Sequence, residues 1–196
     1  MEIDLLHFEE KYHGYLVAGI DEAGRGPLAG PVVAAAVIVD QNNIISGIKD
    51  SKKLSKKKRE SLYDQITTNY IWAVGIVSHT EIDEINILKA TKKACILAAK
   101  NLSTQPEIVL VDGNMQFYDE RFVSIIDGDN LSLSIAAASI IAKVTRDRLM
   151  LELSNEFPQY LWHKNSGYGT KEHLEAINLH GLSPYHRRSF NIKASS

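Results

Sequence analysis

The chain has 196 residues but only one cysteine, Cys95, and only five prolines. A single cysteine cannot form a disulfide bond within the chain, and it cannot supply a cysteine-based zinc site. Cys95 lies in an apolar helical pattern, so we expect a small buried residue. The sequence also has no internal repeat, no low-complexity segment and no long linker rich in proline and glycine. These absences favour a single domain over residues 1–196.

Long hydrophobic runs and a strong overall charge are absent as well. No stretch reaches the roughly 18 apolar residues that a membrane-spanning helix needs, and the acidic residues 1–4 do not resemble the start of a signal peptide. We therefore expect a cytoplasmic protein without a membrane partner, and a monomer. The formal net charge of −2 excludes general binding of polyanions through the charge of the whole chain.

Basic charge is nevertheless concentrated in two places. Residues 49–60, "KDSKKLSKKKRE", contain six lysines and one arginine against two acids, a local net charge of +5. The C-terminal motif "YHRRSF" is basic too. Basic patches beside separate acidic clusters are typical of a site that binds a polyanion together with metal ions. Residues 56–59 fit a solvated helix face equally well, whereas Lys52 and Lys53 precede that helix.

The hydrophobic pattern predicts an α/β domain with a mixed sheet. Strands are predicted at 15–20, 31–39, 70–78, 107–114 and 122–126, with a further short strand at 43–49. Helices are predicted at 55–69, at 80–102 with Thr80 and Asp83 as a capping pair, and from 131 or 134 to 155. A final helix is predicted to run to about His180, with Thr170 as its N-cap and Gly181 as its stop. The third of these helices begins with "SIAAASIIAK", whose small residues would let its backbone approach a neighbour closely.

Two of the predicted strands end in acidic residues. The run "LVAGIDEAGRG" becomes polar at Asp21 and Glu22, and "EIVLVDGN" becomes polar at Asp112. If these strands are parallel neighbours connected through helix 80–102, Asp21 and Asp112 meet at one edge of the sheet. Asp129 lies in a turn that enters the next helix and is a third candidate. Each acid, taken alone, is also compatible with a solvated turn.

Crowded carboxylates repel one another and raise one another's pKa unless a cation neutralises them. Oxygen ligands without a cysteine or an obvious histidine partner indicate Mg²⁺ or Mn²⁺. Two such ions about 4 Å apart would activate water and stabilise the leaving oxygen of a phosphodiester. Asp147 competes with Asp129, but it would lie about 27 Å further along a continuous helix. Lys143, one turn before Asp147, offers it a surface ion pair instead.

The neighbouring acids Asp21 and Glu22 present a geometrical difficulty. Adjacent residues of a strand point to opposite faces, so both can reach one site only if the strand ends or bends there. Gly24 and Gly26 would make such a bend easy.

Six motifs, taken together and in order, resemble the bacterial ribonuclease HII family. They are "GIDEAGRGPLAGPVVAAAVI", "DSKKLSKKKRE", "VDGN", "GDNLSLSIAAASIIAKVTRDRLM", "GYGTKEHL" and "HGLSPYHRRSF". The resemblance implies a ribonuclease H-like fold, here a mixed five-stranded sheet flanked by helices, with a small helical C-terminal extension at about 157–196. It also implies a metal-dependent endoribonuclease that cleaves the RNA strand of RNA·DNA hybrids and single ribonucleotides embedded in duplex DNA, leaving a 5′-phosphate and a 3′-OH.

Position by position, the resemblance implies a functional role for fourteen residues. The catalytic and metal-binding carboxylates would be Asp21, Glu22, Asp112 and Asp129. With substrate bound they would hold two Mn²⁺ or Mg²⁺ ions, and Asp21 would bridge both. The residues that grip the ribonucleotide would be Gly24, Arg25 and Gly26. Tyr168 would sense the 2′-OH, the group by which a protein distinguishes RNA from DNA. Candidates for phosphate contacts are Lys52, Lys53, Lys143, His186, Arg187 and Arg188.

Two other functions stay open at this point. One is a nuclease with the same fold that acts on DNA, and the other is a nucleic-acid-binding module without catalysis. Tyr168 by itself would also suit a half-buried packing role. His163, His173 and His180 have no partner at helical spacing for a metal site, so we expect them at the surface or in packing.

Overall fold

The computed structural model describes residues 5–192, which form five strands and seven α-helices. In chain order they are α1 (His7–Lys11), β1 (Val17–Ala23), β2 (Val32–Ile38), α2 (Lys56–Asn69), β3 (Ile71–Val77), α3 (His79–Ile85), α4 (Ile87–Lys100), β4 (Ile108–Asp112), β5 (Phe122–Ile125), α5 (Leu133–Glu156), α6 (Trp162–Asn165) and α7 (Lys171–His180). Short 3-10 turns lie at Ser51–Lys53, Gly128–Asn130 and Pro158–Tyr160.

The strands form one mixed sheet in the order β3-β2-β1-β4-β5. The first three are antiparallel neighbours. β1 and β4 run parallel, with Ile20 opposite Val111, and β5 is parallel to β4. The predicted mixed five-stranded sheet is confirmed, and the parallel pair brings the carboxyl ends of β1 and β4 to one edge.

Helices cover both faces of the sheet at close range. α4 packs on the face that carries Ala18 and Ile20, while α5 and α2 pack on the opposite face. Two glycines let the main helices approach. A Cβ at Gly19 would lie 2.2 Å from the backbone nitrogen of Ile135 in α5, and one at Gly75 would lie 2.1 Å from the carbonyl oxygen of Ala94 in α4. The close approach predicted from the small residues of α5 is therefore present.

The single helix predicted at 80–102 is wrong, because the chain breaks it at Asn86. Asn86 has a positive φ of 68° and its side chain accepts a hydrogen bond from the backbone of Lys89, so it begins α4 as a new helix. The cap of α3 is Ser78, not Thr80. Asp83 does not cap the helix either: its carboxylate accepts from the backbone N–H groups of Arg188 and Ser189.

The short strand predicted at 43–49 is wrong as well. The segment is irregular, because the N–H of Ile45 donates to the hydroxyl of Tyr70 at 3.0 Å and joins no strand. Its two isoleucines, Ile45 and Ile48, still pack into the core beside α2 and α5. The apolar pattern thus indicated that these residues are buried, but not that they form a strand.

The C-terminal segment packs its own apolar cluster against α5 and the loop that follows β1. Tyr160, Trp162 and Ile177 contact Ala29 and Met150 in this cluster. α7 begins at Thr170 and ends before Gly181, as predicted. Residues 1–4 and 193–196, at the ends of the expected single domain and its extension, lie outside the described residues. Among the described helices, none is long and apolar enough to cross a membrane.

The contact between Gly19 and α5 predicts the cost of adding one methyl group. Gly19→Ala would push backbone against backbone, and we expect a loss of about 3 kcal/mol in the free energy of unfolding. Gly26→Ala is the matched control, since its Cβ would meet nothing closer than 3.7 Å. Urea denaturation measures both, and equal stabilities for the two variants would contradict the packing described.

Candidate active site

Three carboxylates meet at the edge of the sheet where β1 and β4 end. One oxygen from each of Asp21, Asp112 and Asp129 lies within 4.8 Å of the others. β1 supplies Asp21, β4 ends at Asp112, and the 3-10 turn before α5 supplies Asp129. The structure therefore brings together three of the four acids that the sequence analysis selected.

Backbone hydrogen bonds hold these side chains in place. The N–H of Gly128 donates to Oδ1 of Asp112 at 2.8 Å, which ties the turn carrying Asp129 to the end of β4. The N–H of Glu22 donates to Oδ1 of Asp21 at 2.7 Å. Asp112 and Asp21 thus take their orientation from the main chain.

The carboxylates are held where their charge is unfavourable. Burial, and then the charges of Glu22 and Asp112, raise the pKa of Asp21 well above its usual range. Burial, followed by Asp112 and Asp50, raises the pKa of Asp129 to about 6. Such shifts are expected when acids are desolvated and crowded without a neutralising cation.

Glu22 lies beside this cluster and not within it. β1 continues through Ala23, so the strand does not end at the two acids as expected. Because side chains alternate along a strand, Glu22 points to the same face as Ile20, and Asp21 points to the opposite face. Oε1 of Glu22 accepts from Arg25 at 3.3 Å, while Oε2 is buried and has no hydrogen-bond partner in the part of the chain that the structure describes. Burial raises the pKa of Glu22, although Arg25 opposes the shift.

A cavity of about 230 Å³ opens next to the acids and collects most of the predicted substrate-binding residues. It is lined by the loop Gly24–Gly26 and by Asp21, Glu22, Lys52, Lys143 and Tyr168. The ring of Tyr168 is partly exposed and lies 3.7 Å from where a Cβ on Gly26 would stand. Gly24 turns the chain with a φ of +100°. The predicted bend after β1 is therefore present, one residue beyond the strand.

The basic residues before α2 lie at the rim of the acidic cluster. Lys52 Nζ is 3.9 Å from Oδ2 of Asp129, and Lys53 donates to the side chain of Asn130. Burial lowers the pKa of Lys52, but Asp21 and the other surrounding carboxylates outweigh this effect and raise it. Lys52 therefore stays cationic beside the acids.

The structure contradicts two of the predicted phosphate contacts, His186 and Arg187. Both side chains are buried. Arg187 donates to the carbonyl oxygens of Gly24, Arg25, Gly30 and Pro31, so its guanidinium is occupied by the loop after β1. Burial lowers the pKa of Arg187 to about 9, which leaves it cationic at neutral pH.

The other proposed contacts stay accessible. Arg188 is exposed next to its buried neighbour. Lys143 Nζ is 2.8 Å from Oδ1 of Asp147 and 5.9 Å from the centre of the Tyr168 ring. Asp147 thus forms the predicted pair with Lys143, and it also accepts from the hydroxyl of Ser166.

Two important residues, Arg146 and Glu9, were missed by the sequence analysis. The buried Arg146 donates to the carbonyl oxygens of Ala29, Pro31 and Ser166, which joins α5 to two loops of the cavity. Glu9 is buried against the start of α5, where its Oε1 accepts from Ser132 and Ser134. No local signal marks either one, because a charged residue in a helix is expected to face solvent.

The donor set fits a divalent cation. The three clustered groups offer carboxylate oxygens, which suit Mg²⁺ and Mn²⁺. The buried Oε2 of Glu22 offers a fourth oxygen, with no hydrogen-bond partner among residues 5–192. Within the part of the chain that the structure describes, the three acids form one ion pair, with Lys52. The cluster therefore carries net negative charge.

Comparison with known proteins connects this geometry to a family. A family model described as ribonuclease HII matches residues 18–193. A ribonuclease HII from Rickettsia bellii is 86% identical over 190 residues, covering 97% of both chains, and one from Rickettsia conorii is 84% identical, covering 97% of this chain and 98% of the relative.

The chain belongs to the ribonuclease HII family. A solved structure of ribonuclease H2 from Pyrococcus horikoshii has a TM-score of 0.74 and 31% identity, covering 90% of this chain and 94% of that one. The predicted ribonuclease H-like fold is thereby confirmed. Members of the ribonuclease HII family are endoribonucleases, so membership favours this function over a DNA nuclease or a non-catalytic binding module.

The position of Asp129 predicts how the protein responds to metal. Adding Mn²⁺ or Mg²⁺ should raise the melting temperature, since an ion that binds only the folded state stabilises it. Asp129→Asn should remove most of this increase, whereas the matched variant Asp147→Asn should keep it. Thermal melts with and without each ion check the prediction. A larger loss in the second variant would mean that the wrong acid has been assigned.

Proposed function

We propose that this endoribonuclease of the ribonuclease HII family uses Mn²⁺ or Mg²⁺ to cleave RNA in RNA·DNA hybrids and at single ribonucleotides in duplex DNA. The observation that carries the proposal is the cavity beside the three clustered acids. One continuous lining contains carboxylates for metal, a glycine-flanked arginine and an exposed tyrosine. Phosphate, sugar and scissile bond could each be engaged from this one place.

The metal ligands in this proposal are Asp21, Asp112, Asp129 and Glu22. When bound, divalent ions supply a nucleophilic hydroxide near neutral pH and stabilise the charge on the phosphate and the leaving oxygen. The chain's part is to hold the carboxylates in place, and bound cations would offset the repulsion that raises the pKa of Asp21 and of Asp129. Asp21 is central, because the charges of Glu22 and Asp112 both act on its carboxylate and raise its pKa. Glu22 would exchange its contact with Arg25 for a ligand role.

Recognition of the ribonucleotide would come from the loop after β1 together with Tyr168. The carbonyl oxygens of Gly24 and Arg25 are already bound to Arg187, so this loop presents a fixed backbone to substrate. The ring of Tyr168 lies against Gly26, and its exposed side chain lines the cavity. A hydroxyl at that place can exchange a hydrogen bond with a 2′-OH, which deoxyribose lacks.

Phosphate contacts are proposed for the accessible cations alone, namely Lys52, Lys53, Lys143 and Arg188. Lys52 and Lys143 both line the cavity, so a strand bound there would lie near both. Such contacts position the backbone without reading its sequence.

The central test is cleavage of a duplex that contains one ribonucleotide. With Mn²⁺ or Mg²⁺ we expect a cut on the 5′ side of the ribonucleotide, leaving a 5′-phosphate and a 3′-OH. Asp21→Asn should lower the cleavage rate at least about 100-fold and largely preserve hybrid binding, because the basic surfaces are unchanged. Gel analysis of labelled products and a binding titration check both parts. Absence of cleavage by the wild type with either ion would refute the proposal.

The role of Tyr168 is tested by removing only its hydroxyl. Tyr168→Phe should lower kcat/KM for a single-ribonucleotide duplex about tenfold, the size expected for one lost hydrogen bond. Tyr118→Phe is the matched control, because Tyr118 is fully exposed and lies outside this cavity. If both variants behave like the wild type, the 2′-OH is read by another group.

A further inference from the structure

Two buried histidines, His173 and His186, connect the C-terminal segment to Tyr168. Nδ1 of His173 lies 2.8 Å from the carbonyl oxygen of Tyr168, and its Nε2 lies 3.1 Å from Nε2 of His186. The indole N–H of Trp162 donates to the same Nε2 of His173 at 3.0 Å. Both imidazoles are shielded from solvent, which fits the packing alternative expected for His173 but not the phosphate contact expected for His186.

The partners determine where each proton resides. The backbone N–H of Ser183 can only donate, so Nδ1 of His186 is its acceptor at 2.9 Å and the proton of that ring is on Nε2. The indole N–H of Trp162 likewise makes Nε2 of His173 an acceptor. His173 therefore carries its proton on Nδ1 and donates to Tyr168. The result is one directed chain, from Ser183 through His186 and His173 to Tyr168.

This chain of hydrogen bonds ends at the residue that presents its ring to the cavity. Tyr168 follows Ser166 and Gly167, which both have positive φ values, 48° and 82°. The adjoining peptide is held as well, because Leu28 donates to the carbonyl oxygen of Gly167 at 2.7 Å. The carbonyl oxygen of Tyr168 also accepts from the backbone N–H of Thr170 at 2.8 Å, so the bond from His173 adds a second, side-chain restraint on the same oxygen. It thereby restricts where the ring can lie against Gly26.

His186 is also joined to the other half of the cavity. It pairs with Ala29 in an isolated antiparallel bridge, and the N–H of Arg187 donates to the carbonyl oxygen of Leu28 at 2.8 Å. The side chain of Arg187 then holds Gly24 and its neighbours. Two consecutive residues of one short segment thus reach Tyr168 on one side and the glycine loop on the other.

We propose that His186, acting through His173, is a positioning residue that sets the place of the Tyr168 ring relative to the Gly24–Gly26 loop and thereby the preference for ribose. The inference rests on the proposed function, in which Tyr168 reads the 2′-OH. Neither histidine touches substrate. Each acts by holding Tyr168, so its loss affects ribose recognition more than general binding of a duplex.

The test separates ribose recognition from binding of DNA. For each variant, KM and kcat are measured on a single-ribonucleotide duplex, and Ki is measured for an all-DNA duplex of the same sequence as a competitive inhibitor. His173→Leu and His186→Leu should raise KM about tenfold with Ki unchanged. A variant that is only less stable would lower kcat through its smaller folded fraction and move neither constant.

Conservative variants sharpen this result. In His173→Asn the amide N–H can replace Nδ1 and donate to Tyr168, so this variant should recover most of the wild-type KM. His180→Gln is the matched control, because His180 is the exposed histidine at the end of the same helix, α7. A KM for His173→Asn that is as high as that for His173→Leu would count against the specific bond to Tyr168.

Tyr168→Ala in the same assay separates the recognition role of Tyr168 from the positioning role of the two histidines. If it raises KM selectively and the leucine variants do not, the positioning role is wrong and the reader role stands. If Tyr168→Ala leaves both constants unchanged, the reader role fails and the positioning inference fails with it. If both roles are correct, the double variant Tyr168→Ala/His173→Leu should have the same KM as Tyr168→Ala alone.

Discussion

The repulsion among three partly or fully buried carboxylates is the constraint on which the rest of this structure depends. Asp21, Asp112 and Asp129 lie within 4.8 Å of one another, and the pKa of Asp21 and of Asp129 is raised. Such an arrangement opposes folding in the absence of a cation. The surrounding elements must therefore hold the acids together against their own charge. Backbone N–H groups that donate to Asp21 and Asp112 do part of this, and the close packing of the surrounding elements does the rest.

The close packing is visible on both faces of the sheet. Gly19 and Gly75 let α5 and α4 approach the central strands to distances that no side chain would permit. Because α5 is held this closely to β1, the turn that precedes it delivers Asp129 to the end of β4. Glu9 also holds the start of α5 in place, because its carboxylate accepts hydrogen bonds from Ser132 and Ser134. The position of Asp129, one of the three clustered acids, thus depends on contacts made by residues outside the cluster.

The sequence predicted the parts of the site that are local and missed those that are tertiary. An apolar run that ends in acids identified Asp21 and Asp112, since strand ends meet at a sheet edge. The helix break at Asn86 was missed because the apolar period continues across it. Arg187 was misassigned because a basic motif resembles a phosphate-binding surface. Only the folded chain shows the four carbonyl oxygens that occupy its guanidinium.

The burial of Arg187 changes how the basic C-terminal motif is understood. Its guanidinium reaches back across 163 residues to Gly24 and across 156 to Pro31, where free carbonyl oxygens would otherwise be buried without donors. A guanidinium used in this way has its donors occupied by carbonyl oxygens, and it holds the loop after β1 in place. In the proposed function, in which this loop contacts the nucleotide, such order would lower the conformational entropy that binding costs. The neighbouring Arg188, which is exposed, is left to provide the charge.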